Sequence, residues 1–166
     1  MSADPLIASA SQTVGPFFHI GPGATDRFGR MTAPDASREH ITLRILVLDG
    51  DGAPVNDALV ELLQANAGFG RLGTKHDGTC VFETIRPSAE AGQAAHIDLC
   101  LFARGLLRHL YTRIYFEADP ALDGDPLLSL VTADRRDTLV ARRVADGAWQ
   151  FTVRLQGAGE TVFFDL

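Results

Sequence analysis

Ala95-His96-Ile97-Asp98-Leu99-Cys100-Leu101-Phe102-Ala103-Arg104, followed by Gly105 and then by Leu107 to Phe116, alternates apolar and polar residues along both halves. In the first half Ile97, Leu99 and Leu101 face one way, and His96, Asp98, Cys100 and Arg104 the other. In the second, Leu110, Thr112, Ile114 and Phe116 alternate with His109, Tyr111, Arg113 and Tyr115. A period of two over this length predicts two paired strands in the middle of a sheet. The pair carries two of the five histidines and both tyrosines. Metal or acid–base chemistry is therefore sought here first.

The same period recurs on either side. Ile41, Leu43, Ile45 and Val47 alternate before the turn Asp49-Gly50-Asp51-Gly52. Ala58 to Leu63 reads as a strand closed by the loop Gln64-Ala65-Asn66-Ala67-Gly68. Asp77-Gly78 introduces another, Cys80 to Ile85, which Arg86-Pro87-Ser88 ends. Asp119-Pro120 to Pro126 is a loop. Thr138-Leu139-Val140-Ala141-Arg142 fits a short helix better than a strand end. Trp149, Phe151, Val153 and Leu155 mark a further strand, and Gly157-Ala158-Gly159 turns into a last one, Thr161 to Phe164. Short strands separated by Gly, Pro and Asp turns, with one or two short helices, predict a mainly β chain folded as a β-sandwich.

A chain of 166 residues fits one domain that buries about 70% of its unfolded surface. An extended Gly/Pro-rich arm at 1–40 precedes the sandwich core at 41–166. The arm's segment Ser11-Gln12-Thr13-Val14-Gly15-Pro16-Phe17-Phe18-His19-Ile20 has neither period. Its aromatics need an apolar cover, either on this core or on another chain. A net charge of −6 argues against nucleic acid or an anionic membrane as partner. The first residues lack the charged and apolar regions of a secretory signal. Cys80 and Cys100 form no motif and read as buried thiols of a cytoplasmic protein.

Several stretches resemble intradiol ring-cleaving dioxygenases: the arm Ser11 to Phe17, the segment Val60-Glu61-Leu62-Leu63-Gln64-Ala65-Asn66-Ala67, the turn Thr84-Ile85-Arg86-Pro87, the central hairpin, and the ending Phe151 to Asp165. Leu101-Phe102-Ala103-Arg104-Gly105 and Gly159-Glu160-Thr161-Val162-Phe163-Phe164-Asp165 are similar to the α rather than the β chains of two-chain members. The resemblance implies a prealbumin-like β-sandwich paired with a β subunit in a higher-order αβ assembly. It also implies insertion of both atoms of O2 between the hydroxyl-bearing carbons of protocatechuate, a catechol carboxylate, giving 3-carboxy-cis,cis-muconate. In the family, Fe(III) sits on the β subunit, held by two tyrosinates and a His-x-His pair.

This chain reads His96-Ile97-Asp98 where that pair would stand. Ala89 to Ala94 and Ala67 to Arg71 contain no tyrosine. It is therefore expected to hold no metal and no catalytic residue of its own. The resemblance assigns Thr13, Gly15 and Pro16 to the wall of the partner's substrate pocket and Arg104 to its entrance, where a guanidinium suits a carboxylate. Phe17 stands where a tyrosine is common. The mixed face of His109, Tyr111, Arg113 and Tyr115 reads as packing or subunit contact. Two rival readings remain: a stand-alone transthyretin-like binding sandwich, and an Fe(II) oxygenase built on His96 and Asp98.

Overall fold

The computed structural model describes residues 7–15, 17–18, 20–21, 26–31, 37–65, 67–90 and 92–165. Pro16, a proposed wall residue, and His19 lie outside them. Eight strands follow in chain order: β1 (His40–Leu48), β2 (Leu59–Gln64), β3 (Gly68–Gly73), β4 (Thr79–Ile85), β5 (His96–Phe102), β6 (Leu110–Phe116), β7 (Val140–Ala145) and β8 (Ala148–Arg154). Their order in the sheet is β3-β2-β5-β6-β7-β8-β1-β4. β6 and β7 share only the pairs Tyr115–Val140 and Phe116–Ala141. That narrow seam divides the sheet into two four-stranded layers, and their inner faces enclose one core. Leu43, Ile45, Val60, Leu62, Phe82, Leu99, Ile114 and Phe151 are fully or nearly fully buried there. The mainly β sandwich expected from the pattern is the fold found.

Alternation sets which residues enter that core. In β5, Ile97, Leu99 and Leu101 are buried while His96, Asp98, Cys100 and Phe102 are half-buried. The hairpin registers His96 with Tyr115, Asp98 with Arg113 and Cys100 with Tyr111. Turn chemistry is equally local. Asp77 Oδ1 accepts from the Thr79 backbone N–H at 3.1 Å and from its hydroxyl at 2.6 Å. Gly78 sits at φ 73°, where a Cβ would come within 2.8 Å of the Val47 carbonyl oxygen.

Four expectations are corrected. Thr161 to Phe164 is no strand: a single bridge joins Phe164 to Tyr111, and Thr161 and Val162 are held by isolated bonds to Arg154 and Thr112. Residues 138–142 divide between a 3-10 turn, Arg136–Leu139, and the start of β7. The other short helices among the described residues are also 3-10 turns, at Asp26–Gly29, Leu122–Gly124 and Leu128–Leu130. The stretch read as a loop after Ala67 is β3. Its central glycine is a close-packed one, since a Cβ on Gly70 would lie 2.8 Å from Met31 Cγ. Cys100 is only half-buried, whereas Cys80 is buried, and both are free thiols. Burial pushes the Cys80 thiol up to about 12.

The segment between β6 and β7 folds back over the outer face of β6 and covers Tyr115. Asp125, fully buried, fastens it there. Its carboxylate accepts the Tyr115 hydroxyl at 3.0 Å, the backbone N–H of Ala94 at 2.9 Å, and those of Leu127 at 3.0 Å and Leu128 at 2.8 Å. Leu128, Val131, Leu139 and Ala94 close around the same ring. Burial alone would raise the Asp125 pKa, but the bonds from Leu128, Ala94, Tyr115 and Leu127 outweigh it and hold the carboxyl below its ordinary value. Asp125→Ala leaves four donors unmatched and is expected to cost about 3 kcal/mol or more in urea unfolding. Because the folded pKa is depressed, Asp125 contributes fully above the unfolded carboxylate pKa of about 3.9 and progressively less as pH falls through the lower folded value. The stability gap between wild type and variant should therefore narrow as pH drops below about 4.

Candidate functional site

At the β5–β6 turn the arm returns to the core. The Thr13 hydroxyl accepts the Gly105 backbone N–H at 2.7 Å, and Gly105 is at φ 90°. Phe18 packs on Phe102 with ring centroids 6.0 Å apart, and Phe102 on His109 at 5.5 Å. Gln12 and Val14 border a hollow of about 100 Å³ against Phe102, Leu106 and His109. Thr13 and Arg104 are thus brought together, although 90 positions of chain separate them. Arg104 donates through Nε to Asp57 and its side chain is 58% exposed. Gly15 has nothing within 4 Å of where a Cβ would stand. Phe17 and Ile20 remain 76% and 56% exposed. This chain's own core leaves that apolar side of the arm uncovered.

At the other end of the hairpin lies the group that resembled half a metal site. His96 Nδ1 is 2.8 Å from the Ala94 carbonyl oxygen and so carries the proton in that bond. Asp98 accepts Arg113 Nε at 3.0 Å, and Arg113 Nη1 donates to Gln93 at 2.9 Å. The pair is mostly buried on both sides. Leu63, Gln64, Pro87 and Glu90 enclose a space of only about 60 Å³ beside His96 and Asp98.

A ferric centre of phenolates and imidazoles does not fit these residues. Burial, followed by the negative charge of Asp98, pushes Tyr111 up to about 12. Burial with Asp125 alongside pushes Tyr115 higher still, and its hydroxyl is already spent on that carboxylate. Among the described residues no three His, Cys, Asp or Glu side chains gather where one ion could be held. The Fe(II) reading fails on distance as well. His96 and His109 sit at opposite ends of strands spanning roughly 20 Å at about 3.3 Å per residue, an order of magnitude beyond a metal–nitrogen bond.

The mixed face resolves into separate roles. Tyr115 is interior packing, Arg113 is the partner of Asp98, and His109 is exposed beneath the arm's edge. Two contributors escaped the sequence reading. Asp57 holds Arg104, and no local pattern announces it. Asp125 had a signal in Asp125-Pro126 followed by Leu127-Leu128, a side-chain-to-backbone turn signature.

The two-layered fold is that of an intradiol-dioxygenase sandwich, and its described residues gather no metal set. The chain is similar to the protocatechuate 3,4-dioxygenase alpha chain of Burkholderia cepacia, with 38% identity covering 97% of this chain and 98% of that one. At that identity and coverage it belongs to the family of protocatechuate 3,4-dioxygenase alpha chains. The alignment spans 195 positions, more than this chain's 166 residues, so that relative carries insertions absent here. The beta chain from Burkholderia cepacia is 31% identical over 74% of this chain and 67% of its own length. Among solved structures, the dioxygenase domain of a carbohydrate-binding fusion from Streptomyces sp. SirexAA-E superposes with a TM-score of 0.65. That match covers 90% of this chain and 99% of that one at 20% identity, a likeness of fold. No family model matches the chain.

Two measurements check this account. In an alkaline absorbance titration of the full chain, neither tyrosine should ionise below about pH 11. His96→Ala and Asp98→Ala should leave any iron content of the purified protein unchanged, and Asp98→Ala should cost about 1–3 kcal/mol for stranding Arg113.

Proposed function

We propose that this chain is the non-iron α subunit of a protocatechuate 3,4-dioxygenase and works only beside a β subunit that carries Fe(III). The observation behind this reading is the pairing of near-full-length similarity to alpha chains with a hairpin whose ligand positions are taken up by the Asp98–Arg113 pair. On this reading the metal chemistry of ring opening, from protocatechuate and O2 to 3-carboxy-cis,cis-muconate, belongs to the partner. This chain shapes the pocket and holds the assembly.

The geometry of the arm supports the division of labour. The Thr13–Gly105 bond ties the arm to the turn that presents Arg104, so wall and cation move as one. Asp57 engages Arg104 through Nε, which fixes the stem and tempers the charge while the guanidinium stays largely in solvent. A substrate carboxylate approaching from outside would meet a placed cation. Gly15 offers bare backbone for close approach, and Pro16 completes the wall. Residues 1–166 form one unit in this proposal, arm before core. Cytoplasmic location is part of it too; no helix among the described residues is long and apolar enough to cross a membrane.

Co-expression with a His-x-His β chain tests the whole reading. The complex should be red-brown, contain iron and cleave protocatechuate, while the full chain alone should be colourless and inactive. Stoichiometric iron and ring cleavage from the isolated chain would overturn the assignment. Within the complex, Arg104→Ala is expected to raise KM for protocatechuate about tenfold, the scale of one charge-assisted hydrogen bond, with iron retained. Catechol, which lacks the carboxylate, should be used as before. Unchanged kinetics would remove Arg104 from the pocket.

A further inference from the structure

Arg86, immediately after β4, is held in an unusual way. Its guanidinium lies 4.3 Å from the ring centroids of both Phe116 and Trp149. These two rings meet edge to face at 5.0 Å. The Arg86 backbone N–H donates to the Glu39 carbonyl at 2.8 Å, fixing the residue from behind. Two aromatic faces orient the guanidinium plane and satisfy none of its five N–H donors. Among the described residues, no hydrogen bond or ion pair is made to that group.

Two of the nearby acids are engaged elsewhere. Asp119 accepts the backbone N–H groups of Ala95 and Ala121 at 3.1 and 2.9 Å. Glu117 accepts the Arg143 backbone N–H at 2.5 Å and Arg142 Nη1 at 3.4 Å. Ala118, between them, sits at φ 60°, a conformation that few non-glycine residues adopt. Glu39 and Asp119 reach Arg86 only as longer-range charges, opposed by Arg143, and half-burial disfavours the cation. An open cleft of about 530 Å³ lies over Arg86, with Arg142, Arg143, Trp149, Glu39 and Glu117 among its walls. The Trp149 indole N–H is also buried without a partner among the described residues. Arg86 follows the strand end beside Phe116, whereas Arg104 precedes the start of β6. The cleft is therefore distinct from the proposed pocket wall.

We propose that the Arg86 cleft is a second binding site of this chain and takes a carboxylate. A planar fork with an unoccupied edge, pre-oriented by two rings, matches a carboxylate bidentately and loses little freedom on binding it. Glu39 and Glu117 repel a doubly charged phosphate more strongly than a singly charged carboxylate. The group comes either from a small organic acid or from an acidic side chain of another subunit.

Trp149 is the chain's single tryptophan, so its fluorescence reports directly. Acetate added to the full chain should change the emission saturably, and chloride at equal ionic strength should not. Arg86→Lys keeps the charge and the stem but loses the fork, and should weaken the acetate response about tenfold with the circular dichroism unchanged. If another subunit supplies the carboxylate, the complex with its β chain will mask the acetate response and Arg86→Lys will shift its sedimentation toward smaller species. If a free acid is the ligand, acetate will bind the complex and its sedimentation will not change. An equal acetate response in wild type and Arg86→Lys would overturn the site. So would the absence of any saturable response in the full chain together with wild-type sedimentation of the variant complex.

Discussion

One buried carboxylate decides what this sandwich can offer to a partner. Asp125 collects a tyrosine hydroxyl and three backbone donors, and in doing so anchors the segment between β6 and β7 over the outer face of the hairpin. Without that anchor Tyr115 would stand on a surface beside Arg113. With it, Tyr115 becomes part of a small second core. Four hydrogen bonds to one ionised group outweigh the cost of removing its charge from water, which is why the acid stays ionised in an apolar setting.

The same economy of partners governs the hairpin end that resembles a dismantled metal centre. An imidazole and a carboxylate two positions apart on a strand are half of a chelate only if their lone pairs are available. Here the carboxylate is matched by a guanidinium, which is itself tied to Gln93. Replacing a metal ligand by an acid would leave a poorly compensated charge at a mostly buried position. Arg113, directly across the hairpin, neutralises it. The acid and the cation that offsets its charge are partners in register.

Most of the layer structure was legible because it depends on period two: apart from Tyr115, the buried positions of β1, β5, β6 and β8 are among those that alternation selects. What alternation cannot carry is cover supplied from far along the chain. Tyr115 has a polar-face position and is buried because residues ten and more positions away fold over it. In β3, Gly70 lies against Met31 and Phe82, neither of which is a sequence neighbour. Thr161 to Phe164 has strand-forming residues but forms a single β-bridge, and its other bonds to β6 and β8 are isolated ones. Of the candidate pocket residues, Arg104 and Thr13 could be picked out singly. Their junction through Gly105, and the hold of Asp57 on Arg104, arise only in three dimensions.

The arm's uncovered side also bears on the life of the chain in a cell. Phe17, Ile20 and Leu107 present apolar surface near the Thr13–Gly105 hydrogen bond that ties the arm to its own turn. Surface of this kind is what chaperones and proteases inspect. A chain made in excess of its partner would carry its own mark of incompleteness, and matched synthesis of the two subunits becomes a requirement written into a few aromatic and aliphatic side chains.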